Sequence, residues 1–311
     1  MLRQVFHLLS KEELIGFAWF SRQQAAPPRS CARGCLNPRA QCVGVIMLSL
    51  LGFSSSVLSA MAADTPDMSH AAWDQLLKAH VVVLREGQAT QVDYQALAAR
   101  RVELKSYLDE LGRVKPETFD SWSKAGRLAF LINAYNAWTV ELILTQYPDL
   151  KSIKELGSWI RSPWAKSFIP LLGERRSLDD IEHQLIRGSG LYNEPRIHFA
   201  VNCASIGCPA LRAEAYTAAE LDAQLAGQTV KFLMDRSRNR PTSDGLVLSA
   251  IFKWYRDDFE QGWGGIDTLE TFLAEQATTL GLSAEQAKQL QSKTLSLQYG
   301  DYDWRLNDIA R

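Results

Sequence analysis

The chain has 311 residues, 46% of them hydrophobic and 22% charged, with a formal net charge of −1. That length and apolar content are ample for a buried core, and the near-neutral balance lacks the basic excess or stripe that a nucleic-acid binder carries. No glycine-rich phosphate loop, G-x-S-x-G element or dinucleotide fingerprint is present, which argues against nucleotide chemistry.

From the N-terminus, the first distinctive element is a run of sixteen apolar and small residues over 43–58, preceded by Arg33 and Arg39. It is followed by Ala60-Met61-Ala62, the small-x-small pattern of a signal peptidase site. Sixteen residues fall short of the roughly 20 needed to span a bilayer. The expectation is a cleaved export signal over about 39–62, with a retained anchor or a cytoplasmic location as the alternatives. No cysteine follows the run closely, so no lipid-attachment site is visible. Residues 1–38 lie upstream of a signal that already has its own basic flank, and they are set aside from the fold. Cleavage after Ala62 leaves one globular domain over residues 63–311, with 28 basic and 33 acidic residues and a net charge of −5. The expected location is periplasmic or extracellular, an oxidising setting in which nearby thiols pair readily.

Beyond a polar linker, Trp73, Leu76, Leu77, His80, Val81 and Leu84 recur at helical spacing and predict an amphipathic helix. A turn at Glu86-Gly87 leads to a second helix over 97–111, ended by Gly112 and the Pro116 break. The stretch 128–144 is apolar nearly all the way round, the mark of a buried helix. It nevertheless carries Asn133 and Asn136 on one face beside Val140. A buried unsatisfied amide costs about 1–3 kcal/mol, so these two either tie neighbouring loops or line a pocket and orient another polar group. Tyr147-Pro148 ends the helix, and an irregular stretch with Trp159, Pro163, Trp164 and Pro170 runs to Gly173. Ser177 with Asp180 three positions on forms a shortened capping box. The helix expected over 178–187 places Leu178, Ile181 and Leu185 on one side, Glu182 on that apolar side and His183 at its edge. A carboxylate there must be paired or its pKa must rise. Arg196 and Arg212 are the candidate partners, with a role in a site as the alternative. Pro195 then introduces an alternating run over 196–203 that predicts a strand. An amphipathic helix over 221–234, a short strand over 246–248, an aromatic-rich helical stretch over 252–259 and a last helical stretch over 267–290 follow. The tail 300–307 is too aromatic to be loose and is expected to dock. The fold class read from this pattern is α+β: a helix-rich single domain with a small β-sheet.

Five pieces, in order, resemble the family called domain of unknown function 547. They are Phe130-Leu-Ile-Asn-Ala-Tyr-Asn136, Ser177-Leu-Asp-Asp-Ile-Glu-His183, Arg196-Ile-His-Phe-Ala-Val-Asn-Cys203, Ser205-Ile-Gly-Cys-Pro209, and Tyr302-Asp-Trp304 with Leu306-Asn307. Ile251-Phe-Lys-Trp-Tyr with Asp258-Phe259 is a weaker sixth. The sequence departs from the family pattern at Gly207 and Arg305, where serine is expected, and Gly207 bears on the turn between the thiols. The resemblance implies an α/β domain without an agreed substrate, remotely similar to papain-like or transglutaminase-like folds. In that analogy Asn133 or Asn136 stands where such enzymes keep their nucleophile.

A cysteine nucleophile needs a base within hydrogen-bond reach and a group that orients the base. His198 and Cys203 are five positions apart. In a strand they would face opposite ways about 16 Å apart, at roughly 3.3 Å per residue. A dyad therefore requires a bend before Cys203, or His183 brought from the preceding helix. The competing reading is a Cys203–Cys208 disulfide, since a four-residue loop containing Gly207 can bring the Cα atoms within about 4.4–6.8 Å. A redox-active pair is a further alternative, although the spacing is longer than C-x-x-C. No tight metal-ligand spacing appears, so neither metal nor cofactor is expected. His198, Glu182, Asn133 and Asn136 are polar residues on apolar segments, and they form either a pocket or a buried hydrogen-bond network. Two functions follow. The leading one is a non-catalytic binding or structural module of the envelope with a disulfide and a polar core, its ligand a small molecule or peptide. The alternative is a hydrolase or transferase acting on an amide or peptide-like bond, with His198 as base, a cysteine as nucleophile and Glu182 and the asparagines in the site.

Overall fold

Seventeen consecutive buried residues, 128 to 144, form most of one helix, which lies within the first of two hydrophobic clusters. The computed structural model describes residues 69–158 and 160–309, which belong to a compact unit spanning Thr65–Arg311. The expected extension and export signal (1–62) and Trp159 lie outside the described residues.

The first helix, α1 (Ala71–His80), stops short of the expected Leu84. Val81–Leu84 is instead strand β1, paired antiparallel with β2 (Ala89–Val92) in a register of Val81 opposite Val92. Three successive valines are stiff at χ1 and suit an extended chain better than a helix end. The stretch expected as one helix over 97–111 is two, α2 (Tyr94–Ala99) and α3 (Arg101–Arg113), broken at Arg100. Asp93 caps α2 by accepting from the Ala96 amide at 2.8 Å. After α4 (Pro116–Asp120), the central α5 (Lys124–Leu144) begins at Ser123, whose hydroxyl accepts from the Gly126 amide. Glu141, the one charged side chain in its buried stretch, is neutralised by Arg101 at 2.7 Å.

A hairpin of β3 (Ile169–Leu171) and β4 (Glu174–Arg176) leads to Ser177. The capping box expected there is present: the Ser177 amide and hydroxyl donate to Asp180, and the Asp180 amide donates back to the Ser177 hydroxyl. The helix it opens is wider than an α-helix, a π-helix over Asp180–Ile186. Ile181, Glu182 and Ile186 are buried in it while Leu185 is only half-buried, a shift of the inward face from the α-helical expectation.

The strand expected over 196–203 is not formed. Residues Pro195–Phe199 make a 3-10 helix, begun by Pro195 at its first position and capped by Glu194, whose carboxylate accepts from the Arg196 amide. Proline's fixed φ suits a helical start, and that local cap outweighs the alternating pattern. Farther on, α6 (Leu221–Met234) is as expected. The expected short strand is β6 (Gly245–Leu248), flanked by β5 (Arg240–Pro241) antiparallel and β7 (Ser296–Tyr299) parallel. The aromatic stretch divides into α7 (Ala250–Trp254) and a 3-10 helix over Arg256–Glu260. The last helical stretch is three short helices, α8 (Leu269–Glu275), α9 (Ala277–Leu280) and α10 (Ala284–Gln291); Gly281 terminates α9 at φ 72°. The fold is thus α+β, helix-rich with small sheets.

Two hydrophobic clusters result. One surrounds α5; the other is built on Phe199, Phe232, Phe252, Phe259 and Phe272. The 3-10 helix joins them, with Ile197 in the first and Phe199 in the second. His198 therefore sits on the seam. The tail docks as expected: the Val92 amide donates to Asn307, the Ile309 amide to Val92 and the Leu306 amide to Lys151. Among the described residues no helix is long and apolar enough to cross a membrane.

Candidate functional site

His198 is 2% exposed. Its ring stacks on Tyr255 with centroids 3.8 Å apart, and its Nε2 lies 2.6 Å from Asp258 Oδ2. Arg187 reaches the same carboxylate with two bonds, Nε to Oδ2 at 2.5 Å and Nη2 to Oδ1 at 2.9 Å. A third Arg187 nitrogen, Nη1, is 2.8 Å from His183 Nδ1. Arginine can only donate, so His183 Nδ1 carries its lone pair towards Arg187. Burial tends to raise the Asp258 carboxyl, but the bonds and charges of His198 and Arg187 outweigh it and hold the group well below the usual carboxylate range. An ionised carboxylate only accepts, so His198 donates from Nε2. In the neutral ring the lone pair is then on Nδ1, a buried atom without a hydrogen-bond partner.

Glu182 lies beside this chain of pairs, 5% exposed. Its partners are not the arginines expected: Arg196 binds Glu194 and Asp222, each at 2.7 Å, and Arg212 binds Glu214. Instead, the hydroxyls of Tyr255 and Tyr135 are the neighbours that act on the Glu182 carboxylate. Burial pushes the Glu182 carboxyl up. The charges of His183, His198 and Arg187, with the Tyr255 bond, outweigh that and hold it below its ordinary value. Burial, then the Glu182 charge, raises both tyrosines well above their ordinary range, so they remain donors. His183 is lowered, chiefly by burial and with the help of Arg187, against the raising pull of Glu182.

Cys203 and Cys208 form a disulfide with Cα atoms 6.1 Å apart. The polar partners of the sulfurs are hydroxyls and a backbone amide, not the His198 imidazole. The Tyr302 hydroxyl is 3.1 Å from each sulfur, the Ser205 hydroxyl 3.4 Å from Cys203 and 3.3 Å from Cys208, and the Cys203 amide donates to Cys208 Sγ at 2.9 Å. Tyr302 connects the two halves of the region electrostatically, since the Glu182 charge acts on it.

The two asparagines take the loop-tying role. Asn133 donates to the Tyr216 carbonyl at 2.7 Å and accepts from the Tyr216 amide at 3.0 Å. Asn136 donates to the Ala200 carbonyl and accepts from the Asn202 amide. It therefore holds the backbone between His198 and Cys203 rather than either reactive group. Glu182 and His198 act on one another, whereas the sulfurs and the asparagines are bonded to other groups. Asp258, Arg187, Tyr255 and Tyr302 were not singled out from sequence as site residues. The available signal was Asp258 itself, an acid within an aromatic-rich stretch, between Tyr255 and Phe259.

Access is narrow. A cleft of about 20 Å³, room for about one water, is lined by Arg187, Asp258, Tyr192, Asn193 and Gln261 among others. A larger hollow of about 490 Å³, beside Asp93 and Ile309, touches none of this chemistry, and the Asp93 carboxylate is already committed to capping α2. Among the described residues, no group of three or more His, Cys, Asp or Glu is arranged to hold a metal ion.

Residues 119–233 match the family model described as "Protein of unknown function, DUF547". Neither the curated proteins nor the solved structures provide a match.

Proposed function

We propose, for a chain that carries a DUF547 domain over residues 119–233, that it is an exported binding or structural module rather than a cysteine hydrolase. The observation that carries this reading is the Cys203–Cys208 bond, which occupies both thiols of the region. The engagement of His198 Nε2 by Asp258 and the burial of the ring support it. The apolar run over 43–58 and its small-x-small end support export, and a disulfide suits the oxidising compartment beyond the membrane. The ligand of such a module is a small molecule or peptide, and the half-buried aromatic rim of Trp254, Tyr302 and Trp304 beside the disulfide is the surface for it.

The test is the thiol status of mature protein recovered from the envelope, by intact mass after alkylation with and without reductant. Both cysteines should resist alkylation until reduced. Fast alkylation of one, at a rate following a pKa well below about 8.5, would overturn the reading. A second reading, a cysteine hydrolase or transferase acting on an amide bond, is favoured by one observation: His198 Nδ1 has no hydrogen-bond partner, while Nε2 on the other side of the ring is held by Asp258. It requires a free Cys203 thiol.

A further inference from the structure

The two sulfurs differ in their surroundings. Cys208 is 3% exposed, whereas Cys203 is half-buried and reaches solvent in part. The Tyr302 and Ser205 hydroxyls reach both sulfurs, but the buried one has a backbone donor in addition. The Cys203 amide donates to Cys208 Sγ at 2.9 Å, and the Tyr302 hydroxyl donates to it at 3.1 Å. Behind them, the Ser205 hydroxyl donates to the Tyr302 oxygen at 3.2 Å, so the two hydroxyls form a relay ending on sulfur. Burial raises the Tyr302 hydroxyl well above its ordinary range, and it keeps its proton. Against a disulfide sulfur such bonds are weak. Against a thiolate they become charge-assisted and roughly twice as strong.

The loop has ties besides the S–S bond. Arg238 donates to the carbonyls of Cys208 at 2.5 Å and Ile206 at 2.6 Å. The amides of Ile206 and Gly207 donate to Arg305 and Asp303, each at 2.8 Å. Asn202 accepts from the Ala204 amide and donates to the Pro209 carbonyl. Gly207 is needed for the approach of Tyr302, because a Cβ there would lie 2.9 Å from the Tyr302 ring and from the Asp303 nitrogen.

We propose that Cys203–Cys208 is an exchangeable disulfide that oxidises external thiols, attacked at Cys203 with Cys208 as the leaving group. The incoming thiolate forms a bond to Cys203 Sγ; the Sγ–Sγ bond breaks and its electron pair goes to Cys208, which departs as a thiolate held by the Cys203 amide and Tyr302. A second thiolate attacks the external sulfur of the mixed disulfide and releases Cys203 as a thiolate. The two protein thiolates take up the two protons given up by the external thiols. Two thiols become one disulfide, and the protein gains two electrons. Stabilising the leaving thiolate favours both the rate of exchange and the reduced form. This inference rests on the disulfide of the proposed function but not on its ligand.

The experiment uses the oxidised full-length mature protein in native buffer with reduced and oxidised glutathione as the probe, quenched by alkylation and read by intact mass. The bond should open without denaturant. Cys208→Ser should accumulate a glutathione adduct on Cys203, while Cys203→Ser should alkylate slowly at Cys208. Tyr302→Phe should shift the equilibrium about tenfold towards the disulfide, the value of one hydrogen bond to a charged group. Should Tyr302→Phe not fold, Ser205→Ala, which cuts the relay, decides with a smaller shift of the same sign. A bond that opens only after urea unfolding, or variants with the wild-type equilibrium, overturns the exchange while leaving the disulfide in place. Protein that leaves the envelope already reduced and alkylates without reductant overturns the proposed function as well.

Discussion

Asp258 accepts from both Arg187 and His198, so its removal leaves two donors in a mostly dry site without an anion. Breaking such a pair from one side costs about 3 kcal/mol. Asp258→Asn should therefore lower the unfolding free energy from urea titration by about that amount, moving the midpoint down with little change in slope, and an unchanged midpoint would show that the pair is solvated. The same groups set a pH dependence. The folded-state pKa of His183 lies below its unfolded value, so the unfolded chain takes up that proton first. Stability is complete above about pH 6.5 and is lost as pH falls towards the folded value. Asp258 and Glu182 are also depressed, and their contributions, present above about pH 4, are lost only in stronger acid. The melting temperature should fall in two stages on acidification. His183→Gln should flatten the stage that begins below about pH 6.5 and spare the later one; a variant profile identical to the parent's would remove His183 as the source.

Helix α5 brings distant loops to a common frame through two amides. Asn133→Ala leaves the Tyr216 amide and carbonyl unpaired in the core, at about 1–3 kcal/mol for each group. Denaturant unfolding should register a loss of roughly 2–6 kcal/mol, and Asn133→Asp should recover little because it restores only an acceptor. The buried character of this helix was legible in sequence, since 128–144 is apolar on every side and needs no partner to be recognised. The run over 196–203 was not legible as helical. Its alternation is a two-residue period, but Pro195 and the Glu194 cap bind the first turn locally and place His198 between the two hydrophobic clusters. The π-helix over Asp180–Ile186 was hidden for a related reason: apolar spacing read at 3.6 residues per turn puts Leu185 on the inward face, where the wider turn leaves it half-buried.

The chain closes on itself. Its last described residues bind β2 near the beginning, through the Val92–Asn307 and Ile309–Val92 bonds and the 2.8 Å bond from the Tyr94 hydroxyl to Asn307 Oδ1. The same tail brings Tyr302 to the sulfurs. Removing residues 300–311 should cost several kcal/mol, a fall of about 10 °C or more in melting temperature for a domain of this size, with rapid exchange of the Val92 amide. Retained protection of that amide in the truncated chain would mean that β2 is held without the tail. Replacing both cysteines by alanine is expected to be milder, about 2 kcal/mol by loop-closure entropy, because Arg238 and Asn202 keep the loop in place. Near-UV circular dichroism should remain native-like.

By itself the sequence determined what depends on neighbours a few positions apart: the buried helix with its two amides, the Ser177–Asp180 cap, the α6 helix, and two thiols near enough to pair. These follow from periodicity and capping, which act within a turn or two of backbone. Tertiary structure alone decided which acid faces His198. Asp258 lies 60 positions away, and Glu182 is served by two tyrosines rather than by the arginines nearest in pattern. An ion pair or a hydroxyl donor has no required sequence spacing. Its partner is whichever charge or hydroxyl the packing of separate elements brings within about 3 Å, and burial then makes that choice costly to change.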